Sequence, residues 1–375
     1  MNGLGANHSR LGVGLFLLGL MLATADAFAA SPALTQAKQE AEARGYLFLT
    51  SHDEIVAKAK KEGSLRALVG AGPDTLKAIR EGFSRKYPFL KLHIEEISGT
   101  DAAQRFLMEM KVGMASGWDI AHLSQDFYTE YLPYLEKVDL LGMAEQRVLE
   151  IPPMMTDPKN RSTLAAASSV VCIGYNKKLL PPDQVPKSWE DLLKPEFKGR
   201  KFLVDIRPYN IAALVPALGE EWVLDYSRKL AAQEPIWVRG FTRSITAMAA
   251  GEYALAPATN YQAVMRIKMK GGIDLEAAIV EPIPVRTSML EGIVKGAKHP
   301  YAALLFLEYL GGPEAQKILD DVEPFESSIY FPGSKLEQLI RGKKTSVIDW
   351  DHYQKLGSYM KQIFEAFGFP KAGTK

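Results

Sequence analysis

The residue types that hold small anions gather at a few junctions, where an apolar run gives way to a polar turn and then to a helical pattern. Ser98, Gly99 and Thr100 form the first such junction. Arg207 and Asn210 follow the run ending at Ile206, Arg239 and Arg243 follow Val238, and Asn260 with Tyr261 follows Ala256. Guanidinium forks, hydroxyls and the free N–H groups of helix starts suit a carboxylate, phosphate or phosphonate. Gln125 and Ser168 complete the candidate set. Asp119 and Asp205, also at strand ends, offer the opposite chemistry, a seat for a cationic amine. Each arginine has an ordinary reading too, as one half of a surface or inter-lobe salt bridge.

Catalytic patterns are sparse. The chain has no G-x-S-x-G and no H-E-x-x-H, and His93, His122, His299 and His352 make no i, i+4 metal pair. His122 closes a strand beside Ser124, where it either lines a cleft or serves as a satisfied structural histidine. Leu65–Val69, the turn Gly70-Ala71-Gly72 and a second strand reaching Glu95-Glu96 imitate a dinucleotide-binding unit, which makes a secreted dinucleotide-dependent enzyme one alternative. Thr75 stands where that motif needs its third glycine. No catalytic residue and no cofactor is assigned.

The elements that must position these residues follow from periodicity. Leu65–Val69, the helical face Leu76, Ile79 and Phe83, the alternation Leu90, Leu92 and Ile94, the helix with Phe106, Leu107 and Met110, and a strand at Trp118–Ala121 spell βαβαβ. That grammar belongs to a parallel sheet with helices on its faces. It repeats beyond Phe202–Ile206, with a helix over 211–218, a strand at 235–238, a helix capped by Thr242, a strand at 253–256 and a helix from Asn260 to Met269. In open sheets of this kind ligands bind outside the carboxyl ends of the strands. Between the two repeats, Val170–Tyr175 is an apolar run, Pro181, Pro182 and Pro186 forbid regular structure, and Ser188 with Asp191 forms a capping box before Trp189–Leu193. The cluster Phe127, Tyr128, Tyr131 and Tyr134 sits at helical spacing and is read as core.

Arg10, the apolar stretch from Leu11 to Ala23 and Ala27-Phe28-Ala29 read as a secretory leader, so the mature chain belongs in an extracytoplasmic, periplasmic compartment. About 345 of the 375 residues remain, more than one core usually organises. The expected division is a signal peptide over 1–29, a helical segment over 30–63, a first lobe over 64–168 and a second over 169–283. The chain then returns to the first lobe over 284–320 and ends, over 321–375, in helices packed on the second. With 45 basic and 44 acidic residues the charge is balanced, which argues against a nucleic-acid partner. Cys172, the single cysteine, sits in an apolar run and reads as a buried small hydrophobe.

Three stretches carry a family likeness: EIVAKAKKEGSLRALVG, GYNKKLLPPDQVPKSWEDLLKPEFKGRKFLVD and LEGIVKGAKHPYAALLFLEYLGGPEAQKIL. They resemble the periplasmic substrate-binding proteins of ABC importers, most closely the ferric-iron-binding type, whose relatives also bind phosphonates, polyamines and thiamine. The resemblance implies a two-lobed α/β fold of the periplasmic-binding-protein (Venus flytrap) kind, each lobe a mostly parallel sheet flanked by helices. It implies crossovers near Ser168–Val171 and Pro282–Arg286, closure on a small solute, and delivery by a monomer to permease and ATPase subunits. Iron-binding members place an adjacent tyrosine pair where this chain reads ATNYQAVMR, so Tyr261 fills the first position and Gln262 the second. The expected solute is therefore a small organic anion, a carboxylate or phosphonate, with ferric iron on Tyr261 as the alternative.

Overall fold

A computed structural model describes residues 31–115, 117–199, 202–271, 274–323 and 325–369, without the side chain of Thr100; the leader read over residues 1–29 lies outside them. Strand β1 (Ser64–Val69) pairs in parallel with β2 (Lys91–Glu96) and with β3 (Ile120–Leu123). Helix Pro73–Lys86 follows β1 and buries Leu76, Ile79 and Phe83. Helix Thr100–Lys111 follows β2. In the second half β5 (Leu203–Asp205) and β6 (Ile236–Val238) pair in parallel, and Phe202 bridges in parallel to Leu255 at the start of β7 (Leu255–Asn260). Both halves are thus built from parallel strands with helices between them.

Two long strands join them. β4 (Thr163–Asn176) is 14 residues long and almost wholly buried; its first half pairs with β9 (Ile283–Ile293) and its second with β7 and β8 (Leu275–Ala278). β9 also pairs antiparallel with β3 and parallel with β10 (Thr345–Ile348). The result is a mixed eight-stranded sheet in the order β2-β1-β3-β9-β4-β7, with β10 on β9 and β8 on β4. The crossovers face each other directly, in the register Ser168↔Thr287, Ser169↔Arg286 and Val170↔Val285. A residue on this stretch of β9 therefore sits where both lobes can reach it.

Several local readings need correction. Thr100 and Thr242 lie inside their helices; the caps are Gly99 and Gly240, at φ 80 and 103, a conformation glycine adopts without strain. The helix read over 211–218 is two short helices, Tyr209–Ala212 and Val215–Leu218. The last helix, Tyr353–Ala366, packs on Glu220–Ala232 and also, through Tyr353 against Tyr128 at 5.2 Å, on the first lobe. It spans both lobes, whereas the sequence placed it on one. Tyr128 and Tyr131 are core, as is Cys172. Among the described residues no helix is long and apolar enough to cross a membrane.

The proline-rich linker is fixed by one local device. Ser188 Oγ accepts from the Asp191 N–H at 3.1 Å, and the Asp191 carboxylate accepts from the Ser188 N–H at 3.0 Å and the Lys187 N–H at 2.7 Å. That box seats Trp189, fully buried, so that its Nε1–H donates to the Pro282 carbonyl at 3.1 Å, just before β9. Trp189→Phe strands that carbonyl and leaves a void, so it is expected to lower unfolding stability by about 2 kcal/mol. Urea titration checks this, with an unchanged slope.

Candidate functional site

Beside the facing crossovers lies a cavity of about 400 Å³. The first lobe contributes His122 at the end of β3 and Gln125 in the turn after it; the second contributes Arg207 and Tyr209 from the turn after β5. β9 itself supplies Arg286 and Ser288, and Glu326 comes from the segment that returns beside β4. Tyr209 Oη donates to Asp126 Oδ2 at 3.1 Å, a bond across the mouth from one lobe to the other.

Arg286 sets the electrostatics. Its guanidinium lies deep in the protein and opens into the cavity, yet no carboxylate comes within ion-pair distance of it among the described residues. Its Nη1 donates to Gln125 Oε1 at 3.4 Å, its plane lies 5.6 Å from the Tyr209 ring, and its Nε has no partner. Gln125 is itself held by donating to the Thr287 carbonyl. Burial lowers the arginine's pKa, but a guanidinium stays charged in proteins. A charge so placed is costly until an anion meets it.

Asp126 is the carboxylate whose charge reaches Arg286, and two other acids lie in or beside the cavity. Glu291, fully buried on β9, accepts from the Gly70 N–H at 3.4 Å and pairs with His122 Nδ1 at 3.0 Å, while its Oε2 is unpaired; burial raises its pKa. The His122 ring lies flat over the turn after β1, and a Cβ on Gly70 would stand 2.3 Å from its Cε1. That turn is filled by a side chain, so the dinucleotide reading loses its phosphate cradle. The Glu326 carboxyl has no hydrogen bond or ion pair among the described residues, and burial, partly opposed by Arg266, pushes its pKa up to about 7.

A family model for bacterial extracellular solute-binding proteins matches residues 132–356 of the chain. The chain belongs to this family. Solved structures give the same fold: FutA (IdiA) of Trichodesmium, in complex with iron and citrate, is 20% identical with a TM-score of 0.64 over 81% of this chain and 99% of its own. The apo ferric ion-binding protein A of Pasteurella haemolytica is 16% identical, TM-score 0.63, over 83% and 100%. A GABA receptor is 15% identical, TM-score 0.61, over 83% and 100%. At these identities the likeness shows the fold alone. No curated protein matches the chain.

This solute-binding protein distributes the sequence-read candidates unevenly. Gln125 and Arg207 line the cavity. Ser98 and Gly99 line an adjoining recess that shares Gly70, His122 and Ser124 with it. Thr100 opens the helix beside that recess. Arg239 and Arg243 are exposed and line an outer recess with Arg207, whose guanidinium is spent on Asp205. Four readings change. Ser168 is fully buried, its Oγ accepting from the Ile329 N–H and its carbonyl from Gln262. Asn210 is buried and donates to the Ala258 carbonyl and to Asn260 Oδ1, so this amide pair fastens the end of β7 and lines none of these recesses. Tyr261 packs edge-on against Phe325 at 5.1 Å, away from the cavity. Asp119 and Asp205 are occupied by the backbone and by His299 and Arg207.

Sequence reasoning missed Arg286, Tyr209 and Glu326. Arg286 was visible as a lone cation inside the apolar run IPVRTSMLEGI; Glu326 carried no such mark. Because the Glu326 carboxyl titrates near 7 when folded and near 4.5 when not, the native state keeps a proton that the unfolded chain has lost across that window. The stability of the empty protein should therefore fall as pH rises from about 5 to 7. Glu326→Gln should remove that part of the fall, measured by urea titration across the same range.

Proposed function

We propose that this protein captures a small carboxylate-bearing organic solute between its lobes, in the periplasm, and delivers it to the permease of an ABC importer. The observation that carries this reading is Arg286: a deep, unpaired guanidinium opening into the inter-lobe cavity, with Gln125 from one lobe and Tyr209 from the other against it. A carboxylate accepts two parallel hydrogen bonds from such a fork and neutralises it. Its arrival favours the arrangement in which both lobes touch it, which is closure by population shift.

Ferric iron is the second reading, and it draws on the neighbours, two of which are iron-binding proteins. The donor chemistry here speaks against it. Ferric iron needs anionic oxygens, but Tyr261 is stacked on Phe325 and Gln262 is turned to the Ser168 carbonyl. Burial raises the pKa of Tyr261, and that of Tyr209 to about 12, and both shifts oppose phenolate formation. The Arg286 charge in the same cavity repels a cation.

Arg286→Met separates the readings. Removing an uncompensated buried charge is expected to leave the empty protein as stable or more stable, by about 1–3 kcal/mol. The same change should abolish the thermal shift given by carboxylates. A ligand at one hundred times its dissociation constant adds about 2.7 kcal/mol, so the loss is easily read. Stabilisation by a ferric salt alone, unaffected by Arg286→Met, would overturn the organic-anion reading.

A further inference from the structure

The cavity that holds Arg286 also holds an acid with nothing to do. The Glu326 carboxyl lines it without a hydrogen bond or ion pair among the described residues, and Asp126 lies at the same mouth with the Tyr209 hydroxyl as its partner. The backbone fixes how far apart the cation and the acid are. Ala167 of β4 pairs with Ser288 of β9 on one edge and with Ser327 on the other. Arg286 and Glu326 therefore project from chain segments on opposite edges of β4, two strand spacings or about 10 Å apart. That separation is too wide for the two side chains to neutralise one another through a direct contact at their roots, and no such contact is formed. Both residues line one cavity, so a single small molecule can meet both.

We infer that the solute is a zwitterion, an amino-carboxylic acid whose carboxylate meets Arg286 and whose ammonium group meets Glu326, with Asp126 closing over it from the first lobe. This rests on the reading of Arg286 as a carboxylate anchor and adds the other half of the ligand. The charges support the addition. A simple monocarboxylate would neutralise Arg286 and leave Glu326 facing its apolar tail. A dicarboxylate would bring a second anion against Asp126, which like-charge repulsion disfavours, and would hold Glu326 in its protonated form. An ammonium end gives the Glu326 carboxyl the partner that it lacks and adds a charge-assisted bond to Asp126 beside the one from Tyr209.

The test compares a series of ω-amino acids of graded chain length with the monocarboxylates and dicarboxylates of matched length. Thermal shift and titration calorimetry on the purified protein supply the readout. At least one amino acid should bind ten times more tightly than its matched acids, and Glu326→Gln should remove that advantage while sparing the monocarboxylate. Glu326→Gln is isosteric, and Asp126→Asn, at the exposed mouth, is the second variant should the first unfold. Equal or tighter binding of a monocarboxylate or dicarboxylate, or an amino acid unaffected by either variant, overturns the ammonium seat and leaves Arg286 standing. No shift with any carboxylate, or a shift with ferric salt alone, overturns both.

Discussion

A guanidinium buried on a strand that both lobes share is the constraint on which the rest of this structure turns. Moving such a charge out of water costs several kcal/mol unless an anion and hydrogen bonds compensate it. Arg286 donates one long bond to Gln125 and meets the face of Tyr209, and its Nε–H finds no acceptor. The register Ser169↔Arg286 holds it in the centre of the sheet, so it cannot swing to solvent as an arginine on a loop would. The lobes supply its neighbours separately, Gln125 from the first and Tyr209 from the second. Any change in the angle between lobes changes the surroundings of this one charge. Whatever neutralises it therefore reports directly on closure.

Much of the fold was legible because strands and helices announce themselves through period. The βαβαβ unit, its repetition after Phe202, the capping box at Ser188 and Asp191, and the buried Cys172 all rest on local patterns of apolar residues and turn chemistry. The caps at Gly99 and Gly240 were read one or two residues late, because threonine is a stronger cap signal than a glycine whose positive φ cannot be seen in sequence. The site was less legible, and for a physical reason. Ser168 on the crossover strand, Asn210 in the short helix after β5 and Asn260 at the end of β7 stand near where ligands commonly bind, but the same positions also carry backbone groups that need partners. Here the side chains went to those groups. Only long-range packing decides which demand wins. Arg286 was overlooked for the opposite reason: a charge within an apolar strand lies away from the strand ends on which such readings concentrate.

The neighbours sharpen the distinction between fold and site. Proteins with the same two lobes hold iron with citrate in one case and GABA in another, at 20% and 15% identity to this chain. Two sheets joined by paired crossovers make a hinge and a cleft, and nothing in that geometry selects a solute. Selection lies in side chains that the fold merely carries. In this chain the tyrosine at the start of the helix after β7 is turned into packing against Phe325, while the charged groups stand on β9 and on the segment returning past β4.

That position has an energetic consequence. In the empty cleft Arg286 is unpaired, Glu326 resists ionisation and Glu291 has an oxygen without a partner. Folding has already stripped these groups of most of their water. A solute with matching charges must shed its own hydration, but it meets groups that are desolvated and held in place, so little of the attraction is lost to rearrangement. Surface arginines such as Arg239 and Arg243 stand in a different position, since water already satisfies them and an anion there gains little beyond a screened contact. Depth is what separates a guanidinium that discriminates between solutes from one that merely attracts anions toward the mouth.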